Sequence, residues 1–429
     1  MSSVGVDAQR LMRHAERDVA TRPGVRTRLA ATLARTALAR ARHDRLVVDE
    51  SGPGPSTRTV VYGAPDDLAT GPVEIEATAV VRDERAYAAL VREGSIGLGR
   101  GYIEGWWTAP DPVEVVRFAI RNVVGLDRIR NRAHRLTGRV TDPIRRALPR
   151  HTRRRNRDDI AAHYDIGNEF FELFLDETMT YSSAVFPSPD ATLADASRHK
   201  YDLLLDRLEL TSHHHLLEIG TGWGGMAIRA AGTRGARVTT TTISAAQLES
   251  ARRRVEAAGL GDRVTLLGDD WRDLTGTYDR VVSIEMIEAV DWRDYDDYFA
   301  MIERSLEPGG RAAIQAICLP DDRWERAKNT EDFIRRFVFP NGFLPSVAAI
   351  RSSVERATSM RVVEVADHTE HYAETLRRWR ETFDARLDQV AALGLDERFQ
   401  RLWRFYLAYC EAAFLERHCL LHQIVLTRP

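Results

Sequence analysis

The sequence predicts an α/β protein: a doubly wound, Rossmann-like parallel sheet preceded by a smaller α+β unit. From residue 211 onward, apolar strand-like runs alternate with helical ones, and the first of these strands ends in a glycine-rich turn. Before them, a second set of alternating strands follows a loop rich in Gly, Pro and Ser. The 429 residues and 44% hydrophobic content suit two domains, which we place at 1–150 and 151–429.

In the first domain, residues 8–45 mix Ala, Leu and Arg at helical spacing, which predicts one or two basic amphipathic helices. The alternation of residues 73–83 predicts strands. Residues 97–101 imitate a phosphate loop but follow no clear strand, so we interpret them as a turn.

A dense run of arginines fills residues 127–157, around the proposed boundary. Near a membrane surface such residues are attracted to anionic headgroups by about 1 kcal/mol each. A solvated linker and a nucleic-acid patch are the alternatives.

In the second domain, strands are predicted at 214–220, 236–244, 263–270, 279–287 and 311–319, with helices through 226–232 and 245–259. Two long helical patterns follow, at about 373–393 and 397–420.

Cysteine content, the length of apolar stretches and histidine spacing limit the classes of protein to which the chain can belong. Three cysteines encode no disulfide framework, which is typical of a reducing compartment such as the cytoplasm. No apolar stretch is long enough to span a membrane, so we expect any membrane contact to be peripheral, on the inner face. The consecutive residues His213, His214 and His215 cannot bring three ligands onto one metal from a strand, and we predict no metal site.

The strand at 214–220 leads into a turn with the pattern E-x-G-x-G-W-G. A dinucleotide site would normally show G-x-G-x-x-G and an acidic residue after the next strand, which here ends in Thr242-Ile243-Ser244. The pattern instead looks like the first motif of class I methyltransferases, where the turn packs against the amino-acid part of S-adenosylmethionine. A purely structural strand-to-helix turn is the alternative.

Further motifs run along most of the chain: residues 163–171 (HYDIGNEFF), 179–182 (MTYS), 242–247 (TISAAQ), 339–346 (FPNGFLPS) and 406–411 (YLAYCE), with 94–99 and 105–107 in the first domain. With these motifs the chain resembles the cyclopropane fatty acid synthase family, including the mycolic acid cyclopropane synthases. The resemblance implies an S-adenosylmethionine-dependent C-methyltransferase that acts on the cis double bond of an unsaturated acyl chain of a membrane phospholipid.

The resemblance also implies a set of site residues. The predicted cofactor-binding residues are Tyr181, Ser182, Gly220, Thr221, Gly222, Trp223, Gly224, Thr242, Ile243, Ser244, Gln247, Trp271 and Arg272. The predicted substrate-binding residues are His163, Tyr164, Phe171, Ile317, Phe343 and Tyr406. Trp271 is predicted to stack on adenine, with an ordinary core tryptophan as the alternative.

Family members also bind a bicarbonate ion as general base. The matching positions are Ser183, Glu288, Gln315, Ile317 and Tyr372. Ser183 and Gln315 stand where the family commonly has cysteine and histidine, and Ala289 stands where a histidine is usual. A serine hydroxyl and a glutamine amide still donate hydrogen bonds, so we expect an anion to be held differently here. Glu288 is expected to orient the base or to stabilise positive charge.

Cys410 matches the position commonly labelled as the family's active-site cysteine. It lies on an apolar stripe with Trp403, Leu407 and Phe414, at steps of 4, 3 and 4. Because a buried thiol is a poor nucleophile, the pattern favours lining of a pocket over chemistry. The predicted catalytic residues are Ser183, Glu288, Gln315, Tyr372 and Cys410.

Methyl transfer to an alkene leaves a carbocation, which aromatic faces stabilise. The candidates are Tyr164, Phe171, Tyr181, Phe343, Tyr372 and Tyr406, with a purely apolar tunnel as the alternative. Proton loss then gives a cyclopropane or, after a hydride shift, a methylene branch. The altered anion site favours the actinobacterial branch that makes methylene precursors of 10-methyl fatty acids, with a reductase as a further partner.

Two other functions remain open: a catalytically impaired lipid-binding protein of the same fold, and a nucleic-acid methyltransferase. The sequence lacks the N-P-P-Y type motif that is usual in methyltransferases acting on base amines, so we expect no nucleic-acid partner. We expect the phospholipid surface and the acyl chain as partners, and a homo-oligomer.

Overall fold

In the computed structural model of the chain, residues 25–51, 57–63, 73–122, 166–340 and 342–429 are described. The arginine run at 127–157 and the predicted substrate residues His163 and Tyr164 lie outside these ranges. Among the described helices, none combines the length and the apolarity needed to cross a bilayer.

The N-terminal unit is a four-stranded sheet with helices. Its strands are β1 (Arg45–Ser51), β2 (Thr57–Gly63), β3 (Glu76–Val81) and β4 (Trp107–Thr108), in the order β2-β1-β3-β4. Its helices are α1 (Val25–Leu38), α2 (Arg85–Glu93), α3 (Ser95–Ile103) and α4 (112–122). Alternate residues of β3 are buried, as the period of two predicts. The small α+β unit is therefore confirmed.

The glycine-rich segment 97–101 is not a turn but the middle of the buried helix α3, so that interpretation was wrong. Its glycines allow close packing. A Cβ on Gly97 would lie 2.0 Å from the carbonyl oxygen of Ala89, and one on Gly99 would lie 2.2 Å from the ring of Phe333. The glycines therefore serve contact between elements and not anion binding.

The larger sheet has seven strands in the order β10-β11-β9-β8-β5-β6-β7. They are β5 (His215–Ile219), β6 (Arg237–Thr241), β7 (Val264–Leu267), β8 (Tyr278–Ile284), β9 (Leu306–Cys318), β10 (Arg361–Asp367) and β11 (Leu420–Thr427). The first five are mutually parallel, and β11 runs antiparallel to β9 and β10. Strand order reverses around β5, which creates a crevice at the carboxyl ends of β5 and β8. The predicted doubly wound sheet is confirmed.

The helices of this part are α5 (Asn168–Glu172), α6 (Leu193–Arg207), α7 (Gly225–Arg234), α8 (Ala245–Ala257), α9 (Tyr295–Ser305), α10 (Asp321–Ala327), α11 (Phe333–Phe337), α12 (Val347–Ala357), α13 (Thr369–Asp384), α14 (Leu387–Ala392) and α15 (Glu397–Leu415). The first long C-terminal pattern is thus two helices, and the second ends at Leu415 and is followed by β11.

The N-terminal unit packs against α15. The ring of Phe405 lies 5.2 Å from that of Tyr102 and 5.9 Å from that of Trp107, measured between centroids. Arg398 pairs with Glu104 at 2.6 Å, and both units contribute to one hydrophobic core. This contact brings α1, α2 and α4 to the edge of the crevice.

Candidate active site

A cavity of about 1210 Å³ opens at the carboxyl ends of the parallel strands. It runs from the glycine-rich turn after β5 to apolar side chains of the N-terminal helices, among them Leu33, Leu90 and Ile120. Most of the predicted site residues that the structure describes line it. They are Tyr181, Ser182, Gly220, Thr221, Gly222, Trp223, Thr242, Ile243, Gln247, Trp271, Arg272, Glu288, Ile317, Phe343, Tyr372, Tyr406 and Cys410.

The glycine-rich turn forms an open cradle on the cavity wall. Gly220 and Gly222 have φ angles of 99° and 53°, which residues with a side chain rarely adopt. A Cβ added to Gly222 would have no atom within 4 Å, so this face of the turn is free to receive a ligand. The hydroxyls of Thr221 and Thr240, 2.7 Å apart, tie the turn to β6. The N-terminus of α7, directly after the turn, completes the cradle.

Glu218 lies beneath this cradle and is only 2% exposed. Its Oε2 has no hydrogen-bond partner in the structure. Burial raises the pKa of this carboxyl to about 8, although Thr240 and the ammonium of Lys200 act against the shift. A buried carboxyl oxygen without a hydrogen-bond partner, beside an open backbone turn, suits the ammonium group of an amino acid. The residues present therefore fit the amino-acid part of S-adenosylmethionine.

The loop after β6 forms the next part of the wall. The Thr242 hydroxyl donates to Oε1 of Gln247 at 3.0 Å, and Ser244 caps α8 by accepting from the Gln247 backbone N–H. Ser244 and Gly224, both predicted to bind the cofactor, are not among the residues that line the cavity. Ser244 therefore contributes to the cavity wall indirectly, by capping the helix α8 whose residue Gln247 lines the cavity.

Trp271 begins a short 3₁₀ turn after β7 and is 8% exposed. Its ring meets Tyr298 edge to face at 5.3 Å between centroids, and the Arg272 guanidinium lies 4.3 Å from its centroid. Arg272 is held in turn by Asp270 at 3.1 Å and Asp294 at 3.4 Å. The indole thus packs in the core and borders the cavity, so the geometry accommodates both interpretations of Trp271.

A glutamate that the sequence interpretation passed over lies at the centre of the site. Glu285 directly follows β8 and lines the cavity. Its Oε1 accepts from the Ser183 backbone N–H at 2.8 Å and from Nε2 of Gln315 at 2.9 Å, and its Oε2 accepts from the Tyr372 hydroxyl at 2.7 Å. Burial raises the pKa of Glu285, against the opposing effects of Lys200 and these donors. The signal in the sequence was the first acid of E-M-I-E, three residues before Glu288.

Glu288 lies one short turn further on. Its Oε1 accepts from the backbone N–H of Ile317, whereas its Oε2 is buried without a partner. Burial, and then the nearby charge of Glu285, raise the pKa of Glu288 to about 8. Burial therefore favours the protonated form of this carboxyl, which is able to donate a hydrogen bond.

Ser183 and Gln315 are fully buried and do not line the cavity. We expected the Ser183 hydroxyl to face an anion, but it donates to the carbonyl of Ala184. Oε1 of Gln315 accepts from Gln423 on β11 at 2.8 Å, which turns the amide N–H groups of Gln315 toward Glu285. Both residues therefore donate hydrogen bonds to Glu285, which lines the cavity, and do not line the cavity themselves.

A buried lysine completes the polar part of the site. Lys200 on α6 is 0% exposed and donates to the Ser182 hydroxyl at 2.7 Å. Burial lowers the pKa of its ammonium to about 8, and the charges of Glu285, Asp176 and Glu218 oppose that shift. Lys200 therefore supplies positive charge that compensates the negative charge of Glu285, Asp176 and Glu218.

Aromatic rings enclose the rest of the cavity. The hydroxyls of Tyr181 and Tyr406 lie 3.0 Å apart, and the rings of Tyr372 and Phe414 stack at 4.4 Å between centroids. Phe171, predicted to bind substrate, is fully buried and packs behind Tyr181 instead of lining the cavity.

Cys410 borders the cavity, and burial raises the pKa of its thiol well above the ordinary value. A neutral thiol at this place agrees with the pocket-lining interpretation, because the thiolate is the nucleophilic form. Within the described ranges, no group of three or more His, Cys, Asp or Glu side chains is arranged to hold a metal ion.

Residues 151–424 match the family described as mycolic acid cyclopropane synthetase. The chain belongs to this family. It is 42% identical to tuberculostearic acid methyltransferase UfaA1 of Mycobacterium tuberculosis, over 85% of this chain and 86% of that protein. It is 34% identical to the cyclopropane-fatty-acyl-phospholipid synthase of Escherichia coli K12, over 81% of this chain and 87% of the relative.

Solved structures agree with this assignment. Cyclopropane synthase MmaA2 from Mycobacterium tuberculosis is similar to the chain with a TM-score of 0.60 and 27% identity, over 66% of this chain and all of that one. Mycolic acid cyclopropane synthase CmaA1, solved with SAH and CTAB, has a TM-score of 0.60 and 29% identity, over 63% of this chain and 98% of that one. The chain is therefore an S-adenosylmethionine-dependent methyltransferase of the cyclopropane-fatty-acyl-phospholipid synthase type, with a class I methyltransferase fold.

Proposed function

We propose that this methyltransferase transfers the methyl group of S-adenosylmethionine to the cis double bond of an unsaturated acyl chain carried by a phospholipid. The observation that carries the proposal is the continuous cavity. It joins the open turn at Gly220 and Gly222 to an apolar space lined by Leu33, Leu90 and Ile120. An acyl chain needs an apolar channel of this kind, and its double bond must meet the methyl donor inside it.

S-adenosylmethionine, when bound, supplies a strongly electrophilic methyl group. The chain's own contribution is binding and alignment: the turn and Glu218 hold the amino-acid part, and Trp271 borders the adenine side. Since an alkene is a weak nucleophile, orientation and exclusion of water supply most of the rate enhancement.

The acyl carbocation that follows needs stabilisation in a site without water. Tyr181, Tyr372 and Tyr406 line the cavity, and the hydroxyl pair of Tyr181 and Tyr406 fixes the orientation of two of these rings. A desolvated aromatic face stabilises a cation by about 2 kcal/mol. The rings are suited to both roles, stabilisation of charge and enclosure of the chain.

Loss of a proton then decides the product. The identity of 42% to a tuberculostearic acid methyltransferase, against 34% to a cyclopropane-fatty-acyl-phospholipid synthase, supports the methylene-branched outcome. A reductase acting on the methylene product is then a further partner. The bicarbonate base implied by the resemblance stays a prediction.

Basic side chains near the cavity would attract an anionic phospholipid headgroup. Arg323, Arg326 and Lys328 line the cavity, which supports an anionic headgroup and docking on the inner membrane face. The match to residues 151–424 supports a division of the chain near residue 150. A homo-oligomer stays a prediction.

The test is direct. Purified protein is incubated with methyl-labelled S-adenosylmethionine and vesicles of dioleoyl phosphatidylglycerol, with distearoyl vesicles as the control that lacks the alkene. We expect label in the oleoyl chains alone, and mass spectrometry after ozonolysis to locate an exocyclic methylene. A ring as main product would refute the methylene assignment. Retained lipid and SAH binding without transfer of label would favour the catalytically impaired lipid-binding alternative.

A further inference from the structure

The backbone at Glu285 has an unusual conformation. Its φ is 49°, in the left-handed region that residues with a side chain rarely adopt, and its N–H donates to the carbonyl of Gln315 at 2.8 Å. Such conformations persist where the surroundings fix them, and they concentrate at functional sites. Here the conformation turns the carboxylate from the end of β8 into the cavity wall.

The carboxylate is held by donors from three separate parts of the chain: the segment before α6, strand β9 and helix α13. They are the backbone N–H of Ser183, the amide of Gln315 and the hydroxyl of Tyr372, at 2.8, 2.9 and 2.7 Å. Burial raises the pKa of Glu285, and these three donors, with the ammonium of Lys200 nearby, oppose that rise by favouring the ionised form.

These donors coincide with positions that the family resemblance assigned to a bicarbonate ion. Of the five positions, Ser183, Gln315 and Tyr372 donate to Glu285, and Ile317 donates its N–H to the fifth, Glu288. A free anion entering this place would find its donors occupied and would lie against the charge of Glu285. Repulsion between like charges at short distance disfavours such binding.

We propose that the side chain of Glu285 takes the place of the bicarbonate ion and is itself the general base of this methyltransferase. The inference rests on the proposed function and deepens it, since it names the group that receives the proton and removes the need for a diffusible anion.

The step balances without any co-reactant. After methyl transfer and a hydride shift, the acyl cation is centred on the branch carbon. An oxygen of Glu285 takes a proton from the new methyl group, and the electron pair of that C–H bond becomes the π bond of the methylene. Glu285 is left neutral and returns its proton to solvent before the next turnover.

Binding of ¹³C-bicarbonate, measured by NMR line broadening in the presence of SAH, tests the occupancy of the site without reference to activity. We expect no saturable binding to the wild type and saturable binding to Glu285→Gly, which removes the carboxylate and relieves the left-handed backbone. Saturable binding of bicarbonate to the wild type would overturn the proposal.

Activity in buffer freed of carbon dioxide tests the chemistry. We expect wild-type turnover to be independent of added bicarbonate and Glu285→Gln to lose about a hundredfold or more. Bicarbonate should partly restore Glu285→Gly. The matched control is Glu355→Gln on the exposed face of α12, which should leave turnover unchanged.

A wild type that needs bicarbonate, or a Glu285→Gln variant with normal turnover, would contradict the proposed base. A wild type that transfers no methyl group to any lipid would contradict the proposed function instead. In that case the binding measurement on the wild type still decides whether Glu285 excludes the anion, even if a variant fails to fold.

Discussion

Burial displaces the pKa values of three side chains around the cavity toward the same range. Glu218 and Glu288 are raised to about 8, and Lys200 is lowered to about 8. Glu218 and Lys200 are buried, and Glu218 and Glu288 line the cavity. Burial therefore opposes the charged form of each of these groups, and the fold's stability should depend on their titration.

Glu288→Gln should remove part of the pH dependence of stability. The ordinary pKa of 4.5 is raised to about 8, so between these values the unfolded chain is ionised while the folded chain keeps the proton. Stability from the neutral acid is thus complete below pH 4.5 and is lost as pH rises through 8. At about 1.4 kcal/mol per pKa unit, we expect the wild type to lose ~3 kcal/mol more than the variant between pH 5 and 8. Urea unfolding at both pH values measures this, and parallel curves for the two proteins would contradict it.

Gly222→Ala should weaken cofactor binding beyond its effect on folding. Gly222 has a φ of 53° and an open space in front of it, which the added methyl group would take from the cofactor. Gly259→Ala is the matched control. Gly259 also has a positive φ, of 69°, and open space in front of it, but it does not line the cavity. Both variants should lose roughly 1 kcal/mol of stability.

Only Gly222→Ala should bind SAH about tenfold or more weakly, as measured by isothermal titration calorimetry. Equal SAH affinities of the two variants would show that the cradle does not hold the cofactor.

The residues that sequence could identify are those whose role is local. The glycines of the turn are contiguous with the strand and the helix that they join, so a short pattern predicts them. Glu285 could not be recognised in this way. Its partners Ser183, Gln315 and Tyr372 are 102, 30 and 87 residues away, and only the fold brings them together.

Among the elements, helix α3 has the most unusual composition. Gly99 in its middle faces the ring of Phe333 at 2.2 Å and that of Phe405 at 3.0 Å, measured from an added Cβ. Glycine is a poor helix former, which explains why the sequence pattern predicted a turn. Contact with α11 and α15 outweighs that propensity.

Gly99→Ala should therefore destabilise the protein by about 1–3 kcal/mol through overpacking, despite the better helix propensity of alanine. Gly232→Ala in α7 is the control, because its added Cβ would lie 3.8 Å from Leu260, an ordinary contact. The control should gain up to about 1 kcal/mol. Thermal unfolding of both variants measures the difference, and a stabilised Gly99→Ala would contradict the close contact.

Strand β11 shows why the C-terminal boundaries were harder to predict. Its sequence, LLHQIVLT, is a short apolar run next to a long helix, and periodicity alone does not separate a buried strand from a helix end. Pairing with β9 and β10 decides its structure. Through Gln423 this strand also positions Gln315 and hence Glu285.

Considered as a whole, the molecule builds one cavity from both of its units. Sequence predicted the two folds separately, because each has its own pattern. It could not predict that α1, α2 and α4 would extend the cavity, since that depends on the packing of the N-terminal unit against α15. The N-terminal unit thus forms part of the cavity wall.

Ala119→Trp should shorten the cavity at its N-terminal end. Ala119 lies on α4, lines the cavity and is partly exposed there. We expect turnover on oleoyl lipid to fall about tenfold or more with SAH affinity unchanged, since one misplaced contact in an apolar pocket is worth roughly 1–3 kcal/mol. Ala348→Trp, on the exposed side of α12, is the control. Equal loss in both variants would contradict a role for α4 in holding the chain.

The joint wall made by the two units has a consequence for selectivity. If one end of a lipid tail rests against α1 and α4, the number of carbons from that end to the alkene decides which atom stands before the methyl donor. The N-terminal helices would then set the distance from the end of the tail to the methylated carbon. Exchanging these helices between relatives would move the branch point along the tail without any change in the residues around the methyl donor.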